Sequence, residues 1–326
     1  MAGDPIPSLA DDRSASGLDL AGDRERTAHP GPIIASRGGH TVVDCLVCGW
    51  AHLSAPPEER ELVSIYDDHY EQHPGWLEKD RSEQAFWDLE HADKLADWTS
   101  ILGRDTGAVL DVGCSGGLLL EYAAWHKWES VGVEPSERAA SEARERGLTV
   151  HTSFYQDVEL PAASFDVVHS KLLLEHIPDP IGFFAWAARL LRPGGVFTAH
   201  IPNDFNPLQL AARDVLGLED WWVAPPFHLN YFSFASVERL LRRSGFTPVA
   251  RDATFPMEWF LLMGENYVGD PELGASAHAR RMLLEQRLEH LGQRRSIHTH
   301  LAQQGIGREA IVHARWDGPP LSAHLG

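Results

Sequence analysis

Apolar and polar residues follow two alternating patterns from about residue 107 onward. Short apolar runs, typical of buried strands, take turns with segments whose apolar residues recur at helical spacing. The apolar runs predict strands at 108–112, 129–134, 148–152, 165–170, 195–201, 246–253 and 309–316. The predicted helices are 117–126, 136–146, 181–192 and 234–244. Strands that alternate with helices predict an α/β fold with a doubly wound parallel sheet.

The rest of the chain divides by composition. Residues 1–37 are rich in Asp, Pro, Gly, Ser and Arg, which predicts a disordered tail. A short cysteine-containing segment at 38–57 precedes residues 58–103, whose apolar spacing predicts helix. The main domain then covers 104–326. Within it, residues 256–306 form a helical insertion before the last strand, and the apolar spacing predicts a helix at 280–291.

The stretch 109–117 carries the most information about function. It reads Val-Leu-Asp-Val-Gly-Cys-Ser-Gly-Gly, which is the order of a buried strand, a tight loop and a helix N-terminus. Glycine is suited to such a loop because a bare backbone can approach a ligand closely. A second apolar run ends at Glu134, and an acid there can accept hydrogen bonds from both hydroxyls of a ribose. The two features predict a ligand that contains a nucleoside.

The spacing of the loop glycines distinguishes between nucleotide-binding motifs. A dinucleotide fingerprint needs Gly-x-Gly-x-x-Gly, but Ser115 and Leu118 occupy its second and third glycine positions. A phosphate-binding P-loop needs Gly-Lys-Ser/Thr, which does not follow. What remains is Asp-x-Gly-x-x-x-Gly, built on Asp111, Gly113 and Gly117. This pattern resembles motif I of the class I methyltransferases that use S-adenosylmethionine (SAM).

Two further segments strengthen the resemblance to this family. Residues 160–168 resemble the segment that leads into its fourth strand, and residues 190–195 resemble the turn before its fifth. The resemblance implies a Rossmann-like, mostly parallel sheet of seven strands, with 309–316 as an antiparallel last strand inserted between its neighbours. It also implies that the helical insertion 256–306 caps the active site.

The resemblance assigns SAM-binding roles to residues of this chain. Asp111 would bind the methionine ammonium, and the glycine loop would surround the rest of the methionine. Glu134 would bind the ribose. The segment that contains Gln156 and Asp157 would contact adenine, and Ser170 lies in the segment that faces the methyl-bearing sulfur. The implied binding residues are Asp111, Gly113, Ser115, Gly117, Glu134, Pro135, Gln156, Asp157 and Ser170.

Three residues are candidates for acid–base catalysis. His228 is the preferred general base, because an imidazole with a pKa near neutral suits that task. His176 belongs to Leu-Glu-His, a frequent signature of the family after its fourth strand. Glu258 stands among apolar residues, where burial would raise its carboxyl pKa. For each the alternative is structural: either histidine can be a packing residue, and Glu258 can lie exposed on a helix.

The segment 38–57 contains the spacing of a metal site. Its order is His40-x4-Cys45-x2-Cys48-x3-His52, and paired thiolates with nearby imidazoles suit tetrahedral zinc. It resembles the Cys-pair module at the head of some bacterial methyltransferases that act on sugars and other small molecules. A metal here would be structural, with His69 and His73 as reserve ligands outside the segment. A metal-free remnant of such a module is the alternative.

Charge and composition limit the partners. The formal net charge of −19 argues against broad binding to nucleic acids or anionic membranes, since phosphate contact needs clustered cations. No signal peptide is apparent, and no apolar stretch approaches the roughly 20 residues of a membrane span. The presence of only three cysteines favours a cytoplasmic setting over a disulfide framework.

The prediction is therefore an enzyme that transfers the methyl group of SAM to a small-molecule acceptor by in-line displacement. A sugar nucleotide or secondary metabolite is the acceptor class that the resemblance favours. Two alternatives stay open. One is an oxidoreductase of the same fold that uses a nicotinamide cofactor, although the glycine spacing counts against it. The other is a non-catalytic binding module that retains the fold.

Overall fold

The computed structural model describes residues 29–57 and 75–318. The reserve ligands His69 and His73 lie outside the described residues, as does most of the tail predicted to be disordered. The described end of that tail is not disordered, because Ile33–Arg37 forms a strand that pairs with His40–Asp44. Gly38 and Gly39 join the two with φ of 57° and 82°, the positive values that a tight hairpin turn requires.

The strands, in chain order, are β1 (Ile33–Arg37), β2 (His40–Asp44), β3 (Ala51–Leu53), β4 (Ala108–Val112), β5 (Glu129–Val133), β6 (Thr149–His151), β7 (Phe165–Lys171), β8 (Leu191–Pro202), β9 (Asn230–Tyr231), β10 (Phe246–Ala253) and β11 (Glu309–Trp316). The α-helices are α1 (Trp76–Ser82), α2 (Gln84–Leu102), α3 (Leu118–Trp125), α4 (Glu137–Glu145), α5 (Pro180–Leu190), α6 (Pro207–Leu216), α7 (Phe234–Arg243), α8 (Glu258–Leu262), α9 (Pro271–His290) and α10 (Arg294–Gln303).

The large sheet has seven strands in the order β10-β11-β8-β7-β4-β5-β6. Neighbours from β8 to β6 run parallel, whereas β11 lies between β10 and β8 and is antiparallel to both. The predicted α/β fold, with its inserted antiparallel last strand, is therefore confirmed. Parallel strands place their carboxyl ends at one edge of a sheet, so the loops that follow β4, β5, β6, β7 and β8 meet there.

Each face of the sheet is covered because alternate residues of a buried strand point to opposite sides. On one face, Leu110 of β4 belongs to a core with Phe183 and Phe184 of α5. On the other face, Val109 packs with Trp98 of α2. The central strands are thus buried on both sides, as their continuous apolar runs indicate.

The insertion between β10 and β11 is helical, as predicted, and consists of α8, α9 and α10. The helix α9 begins at Pro271, after the side chain of Asp270 caps it by accepting from Leu273 N, and it is therefore longer than the sequence pattern suggested. The helix α10 packs against β10, and α8 packs against α6. No helix within the described residues is long and apolar enough to cross a membrane.

A buried acid on β10 makes stability depend on pH. Burial, with the carboxylates of Asp93 and Asp97, raises the pKa of Asp252 to about 7. The folded state keeps this proton up to about pH 7, whereas the unfolded chain releases it near pH 4, so rising pH favours unfolding between those values. We expect Asp252→Asn to stabilise the protein by about 2 kcal/mol more at pH 8 than at pH 5.

Urea unfolding at the two pH values measures this difference. Asp105→Asn is the matched control, because Asp105 is an exposed loop residue. An Asp252→Asn variant whose free energy of unfolding changes equally at pH 5 and pH 8 would contradict the assignment.

Candidate functional site

The glycine loop turns tightly between β4 and α3. Gly113 and Gly117 have φ of 75° and 80°, and Ser115 between them has φ of 47°. Gly113 N donates to Val133 O at 2.8 Å, which fixes the loop against the tip of β5. A Cβ on Gly117 would come within 2.9 Å of Leu148 Cδ1, so a side chain there would crowd Leu148 as well as strain the backbone at its positive φ. The loop therefore lies as a bare backbone turn at the carboxyl edge of the sheet.

Glu134 joins the loop to the next turn of the chain. It follows β5 directly and is buried. Its Oε2 accepts from Ser115 N at 2.9 Å, and its Oε1 accepts from Ser136 N at 2.9 Å. The two regions that the sequence singled out are thus in direct contact through one carboxylate, at the tips of neighbouring strands.

Asp111 is also buried, but it faces the α2 side of the sheet. Its Oδ1 accepts a hydrogen bond of 2.6 Å from His169 Nδ1 of β7, the residue directly opposite it in the strand register. Burial and the positive charge of Lys94 lower the pKa of His169 to about 4, so the imidazole is neutral at pH 7. The sequence analysis did not identify His169, because strand periodicity does not reveal which strands become neighbours.

The remaining residues assigned to SAM lie along the same edge of the sheet. Pro135 follows β5, and Gln156 and Asp157 follow β6; all three are exposed. Ser170 lies near the end of β7 and is buried, and its hydroxyl has no hydrogen-bond partner among the described residues. The predicted adenine contacts are thus accessible, whereas Ser170 is closed off from solvent.

The structure brings the two candidate histidines together. The ring centroids of His176 and His228 are 5.1 Å apart, and both residues are half-buried. His176 Nδ1 donates to Phe227 O at 2.8 Å, which ties the loop after β7 to the segment before β9. Glu175 joins them: one ligand atom from each of the three residues lies within 4.8 Å of the others. Burial and the nearby Asp204 carboxylate raise the pKa of Glu175 well above its usual range.

Asn230 holds this arrangement in place. Its Nδ2 donates to Leu174 O at 3.1 Å and to Ile177 O at 2.8 Å, on either side of the two site residues in that loop. Its Oδ1 accepts from Trp50 Nε1 at 3.0 Å. Asn230 is fully buried and connects three parts of the chain: the loop after β7, β9 itself and the N-terminal ribbon of strands β1–β3.

Glu258 begins α8 and is buried, and its Oε2 has no hydrogen-bond partner within the described part of the chain. Burial raises its pKa, which is the direction that its apolar neighbours in the sequence indicated. Glu258 also acts on Asp204, which follows β8: burial raises the pKa of Asp204, and the Glu258 charge adds to that shift. Sequence reasoning did not identify Asp204 or the electrostatic effect of Glu258 on it.

The cysteine pair lies in a group of four metal-binding side chains. Atoms from His29, Cys45, Cys48 and His52 lie within 4.8 Å of one another. His29 Nδ1 is 3.2 Å from Cys48 Sγ and 3.4 Å from His52 Nε2. Hydrogen bonds from Cys48 and His52 lower the pKa of Cys45 to about 3, against the opposite effect of burial. Two thiol groups and two imidazoles are a ligand set that suits zinc.

The fourth ligand of this group differs from the one in the predicted set. His40 begins β2, where it pairs with Arg37, and is not part of the group. His29 takes its place from sixteen residues before Cys45. His52 Nδ1 donates to Leu53 O at 2.8 Å, which orients the ring so that Nε2 faces the other ligands.

A second group of possible metal ligands has its negative charge already balanced by lysines. Glu90, His200 and Glu309 lie together on the α2 side of the sheet. Both Lys94 Nζ and Lys171 Nζ lie 2.8 Å from Glu90 Oε1. Two ammonium groups at this distance supply the positive charge that a metal ion would otherwise provide.

A surface depression of about 430 Å³ lies away from the glycine loop. It is lined by Asp166, near the start of β7, and by Arg192 and Arg104. Asp166 pairs with both arginines, with 2.7 Å between Oδ2 and Arg192 Nη1. Because the starts and ends of parallel strands lie at opposite edges, this depression is not part of the site described above.

Residues 85–251 match a family model described as a methyltransferase domain. The match covers just over half of the 326-residue chain. The chain therefore belongs to this methyltransferase family, and the resemblance stated from the sequence is confirmed at the level of family and fold.

Two curated relatives of the chain are also named as methyltransferases. The chain is 34% identical over 167 residues to a ubiquinone biosynthesis O-methyltransferase of Caulobacter vibrioides. This match covers 48% of this chain and 64% of that protein. It is 40% identical over 119 residues to the ubiquinone biosynthesis O-methyltransferase of Aromatoleum aromaticum. That match covers 34% of this chain and 50% of the relative. The chain thus spans between half and two thirds of the length of these curated relatives.

One solved structure matches most of the fold. It is the 1,6-didemethyltoxoflavin-N1-methyltransferase of Burkholderia thailandensis, with a TM-score of 0.50 and 16% identity. The match covers 86% of this chain and 97% of that protein. At this identity the likeness is one of fold.

Proposed function

We propose that the protein is a SAM-dependent methyltransferase that acts on a small-molecule acceptor. The observation that carries the proposal is the contact between Glu134 and the backbone of the glycine loop, with both Glu134 oxygens held at 2.9 Å by Ser115 N and Ser136 N. An acid at one strand tip and a bare backbone turn at the next suit a ribose joined to an amino-acid tail. The Burkholderia relative is described with S-adenosylhomocysteine (SAH) bound, which supports the same ligand class here.

The residues at the carboxyl edge fit the parts of this cofactor. Glu134 would bind the ribose hydroxyls, and Asp111 would face the methionine ammonium. When bound, SAM supplies a methyl group that its sulfonium has already activated, so the protein contributes mainly orientation and exclusion of water. The residues proposed to hold it are Asp111, Gly113, Ser115, Gly117, Glu134, Pro135, Gln156, Asp157 and Ser170.

Calorimetric titration tests the cofactor class. We expect SAH to bind with one-to-one stoichiometry and NAD to give no binding heat, because the loop lacks the second and third glycines of the dinucleotide motif. Binding of NAD but not of SAH would favour the nicotinamide-dependent alternative. Absence of binding by either ligand would favour a non-catalytic module.

We propose that His228 is the general base for an acceptor hydroxyl. With SAM bound, the acceptor hydroxyl would give its proton to the His228 imidazole as its oxygen takes the methyl group and the bond from methyl to sulfur breaks. His176 lies beside His228 and shares this site, and Glu258 is the proposed second acid–base residue on the α8 side. The O-methyltransferase names of the curated relatives support an oxygen acceptor.

We expect His228→Gln to slow methyl transfer by about 100-fold, the usual lower bound for loss of a general base. SAH affinity should stay within about two-fold, because the residue is proposed to act on the acceptor. Incorporation of labelled methyl groups from SAM into the small-molecule fraction of a cell extract measures the rate. His126→Gln, an exposed histidine after α3, is the control, and equal rates in all three proteins would contradict the role.

The polar groups near the strand tips support a polar small molecule as the acceptor. Asp204, Glu258 and Tyr231 are buried. In addition to burial, the Glu258 carboxylate raises the pKa of Asp204, and the Asp204 carboxylate raises the pKa of Tyr231. A sugar nucleotide or a hydroxylated secondary metabolite offers the hydroxyl groups that such side chains bind. We propose this acceptor class and a cytoplasmic setting.

We also propose that His29, Cys45, Cys48 and His52 hold one structural zinc ion. The set supplies four ligands of the kind found in closed tetrahedral sites. The ribbon that carries them is built into the domain, because His52 of β3 pairs with Asn230 of β9. The metal would stabilise this ribbon and take no part in the methyl transfer.

A further inference from the structure

The contact between Asp111 and His169 is unusual for its position in the sheet. The two residues are 4% and 1% exposed, and their polar atoms are 2.6 Å apart. The preceding cross-strand pair on the same face is Val109 with Val167. A polar pair buried at such a position is usually no more stabilising than an apolar pair of similar volume. Fold stability alone therefore does not account for it.

The protonation state of the pair follows from its surroundings. A carboxylate can only accept, so the ring proton of neutral His169 lies on Nδ1 and is donated to Asp111 Oδ1. His169 Nε2 has no hydrogen-bond partner in the described part of the chain. A neutral donor orients the carboxylate without cancelling its negative charge.

The charged groups that face the pair leave that charge in place. Lys94 of α2 is a cation that acts on both residues, but its Nζ is held 2.8 Å from Glu90 Oε1. His200 of β8 also faces His169, and its own pKa is lowered to about 4, chiefly by burial, so it is neutral at pH 7. The pair therefore presents one negative charge at the end of β4, two residues before Gly113.

We propose that His169 is a positioning residue for the amino-acid tail of SAM. It holds the Asp111 carboxylate in the orientation that receives the methionine ammonium. This inference rests on the proposed function, because it requires that SAM or SAH binds at the glycine loop. It extends that proposal to a residue of β7 that does not itself touch the cofactor.

The test compares two ligands that differ in the tail. SAH carries the amino-acid tail, whereas methylthioadenosine retains the nucleoside and sulfur but has no ammonium. We expect His169→Leu to weaken SAH binding by about ten-fold, because the partner of a charged group is lost. Methylthioadenosine affinity should stay within about two-fold, because the ribose contact at Glu134 is untouched. Calorimetric titration measures both dissociation constants.

A conservative variant separates positioning from packing. Asparagine can place an amide N–H near the position of the histidine Nδ1–H, so His169→Asn should recover most of the SAH affinity that His169→Leu loses. Asp111→Asn should lower SAH affinity as His169→Leu does, again with little effect on methylthioadenosine.

The possible outcomes separate the two proposals. If wild-type protein binds neither ligand, the proposed function fails. If wild-type protein binds SAH and His169→Leu binds both ligands as tightly as wild type, the positioning role is overturned while SAM binding stands. If His169→Leu weakens both ligands equally, the residue has a packing role only, and the proposal is also overturned.

Discussion

Replacing Glu134 by alanine is expected to weaken SAH binding by roughly 1–3 kcal/mol, which is about 5-fold to 150-fold in the dissociation constant. Two losses add together. The ribose hydroxyls lose their carboxylate acceptor, and Ser115 N and Ser136 N lose the oxygens that hold them at 2.9 Å. The glycine loop then loses one of its hydrogen bonds to the tip of β5, while the bond from Gly113 N to Val133 O remains. Calorimetric titration of SAH measures the effect.

Two further variants make this experiment specific. Glu134→Gln keeps one carbonyl acceptor and should lie between wild type and Glu134→Ala. Glu137→Gln removes an acid three residues away, whose side chain is 69% exposed, and should leave SAH affinity unchanged. The ribose assignment is wrong if Glu134→Ala binds SAH as tightly as wild type.

The second large effect concerns the cysteine pair. We expect the wild-type protein to contain one zinc ion per chain and the double variant Cys45→Ser/Cys48→Ser to contain none. Structural zinc sites have apparent binding free energies of about 10–16 kcal/mol, and that energy contributes to folding because the site does not exist in the unfolded chain. The variant should therefore lose the ribbon β1–β3 and show a lower thermal midpoint. Elemental analysis and thermal unfolding measure the two effects.

Single variants distinguish the two possible ligand sets. His29→Ala should release the zinc, whereas His40→Ala should retain it, because only His29 lies in the group with both cysteines. Cys114→Ser is the control for loss of a cysteine, since Cys114 lies in the glycine loop. Purified wild-type protein without metal, or release of zinc by His40→Ala alone, would contradict the proposed site.

The main sheet could be predicted from the sequence because its strands are continuous apolar runs with clear ends. The last strand was found at Glu309–Trp316, and the strands β4 and β10 were also found with their observed bounds. Those signals are local, and each strand is long enough to show them. In contrast, β9 has only two residues, and it exists because β3 pairs with it.

The site was predictable only where its chemistry lies in short motifs. The glycine loop and Glu134 each stand directly after an apolar run, so their position at the sheet edge followed from the strand pattern. The contacts of His169 and Asn230 depend on which segments become neighbours, and no local pattern contains that information. His29 lies in a segment whose composition predicted disorder, so its place in the proposed zinc group depends on the hairpin beside it.

The charged cluster of Glu90, Lys94, Lys171 and His200 on the α2 side could not be predicted from local sequence either. Glu90 and Lys94 look like residues of a solvated helix face, yet they are largely buried against the sheet. Their burial depends on Lys171 of β7 and His200 of β8, which lie close to the same carboxylate. Charges of this kind are buried only because distant segments pair with them, so helical periodicity alone gives no indication of it.

A crystal structure of the protein soaked with SAH tests the central claim most directly. We expect electron density for the ligand beside Gly113, with the ribose hydroxyls on Glu134 and the amino-acid tail toward Asp111. An empty crevice at saturating SAH, or a ligand bound with its ribose away from Glu134, would contradict the account.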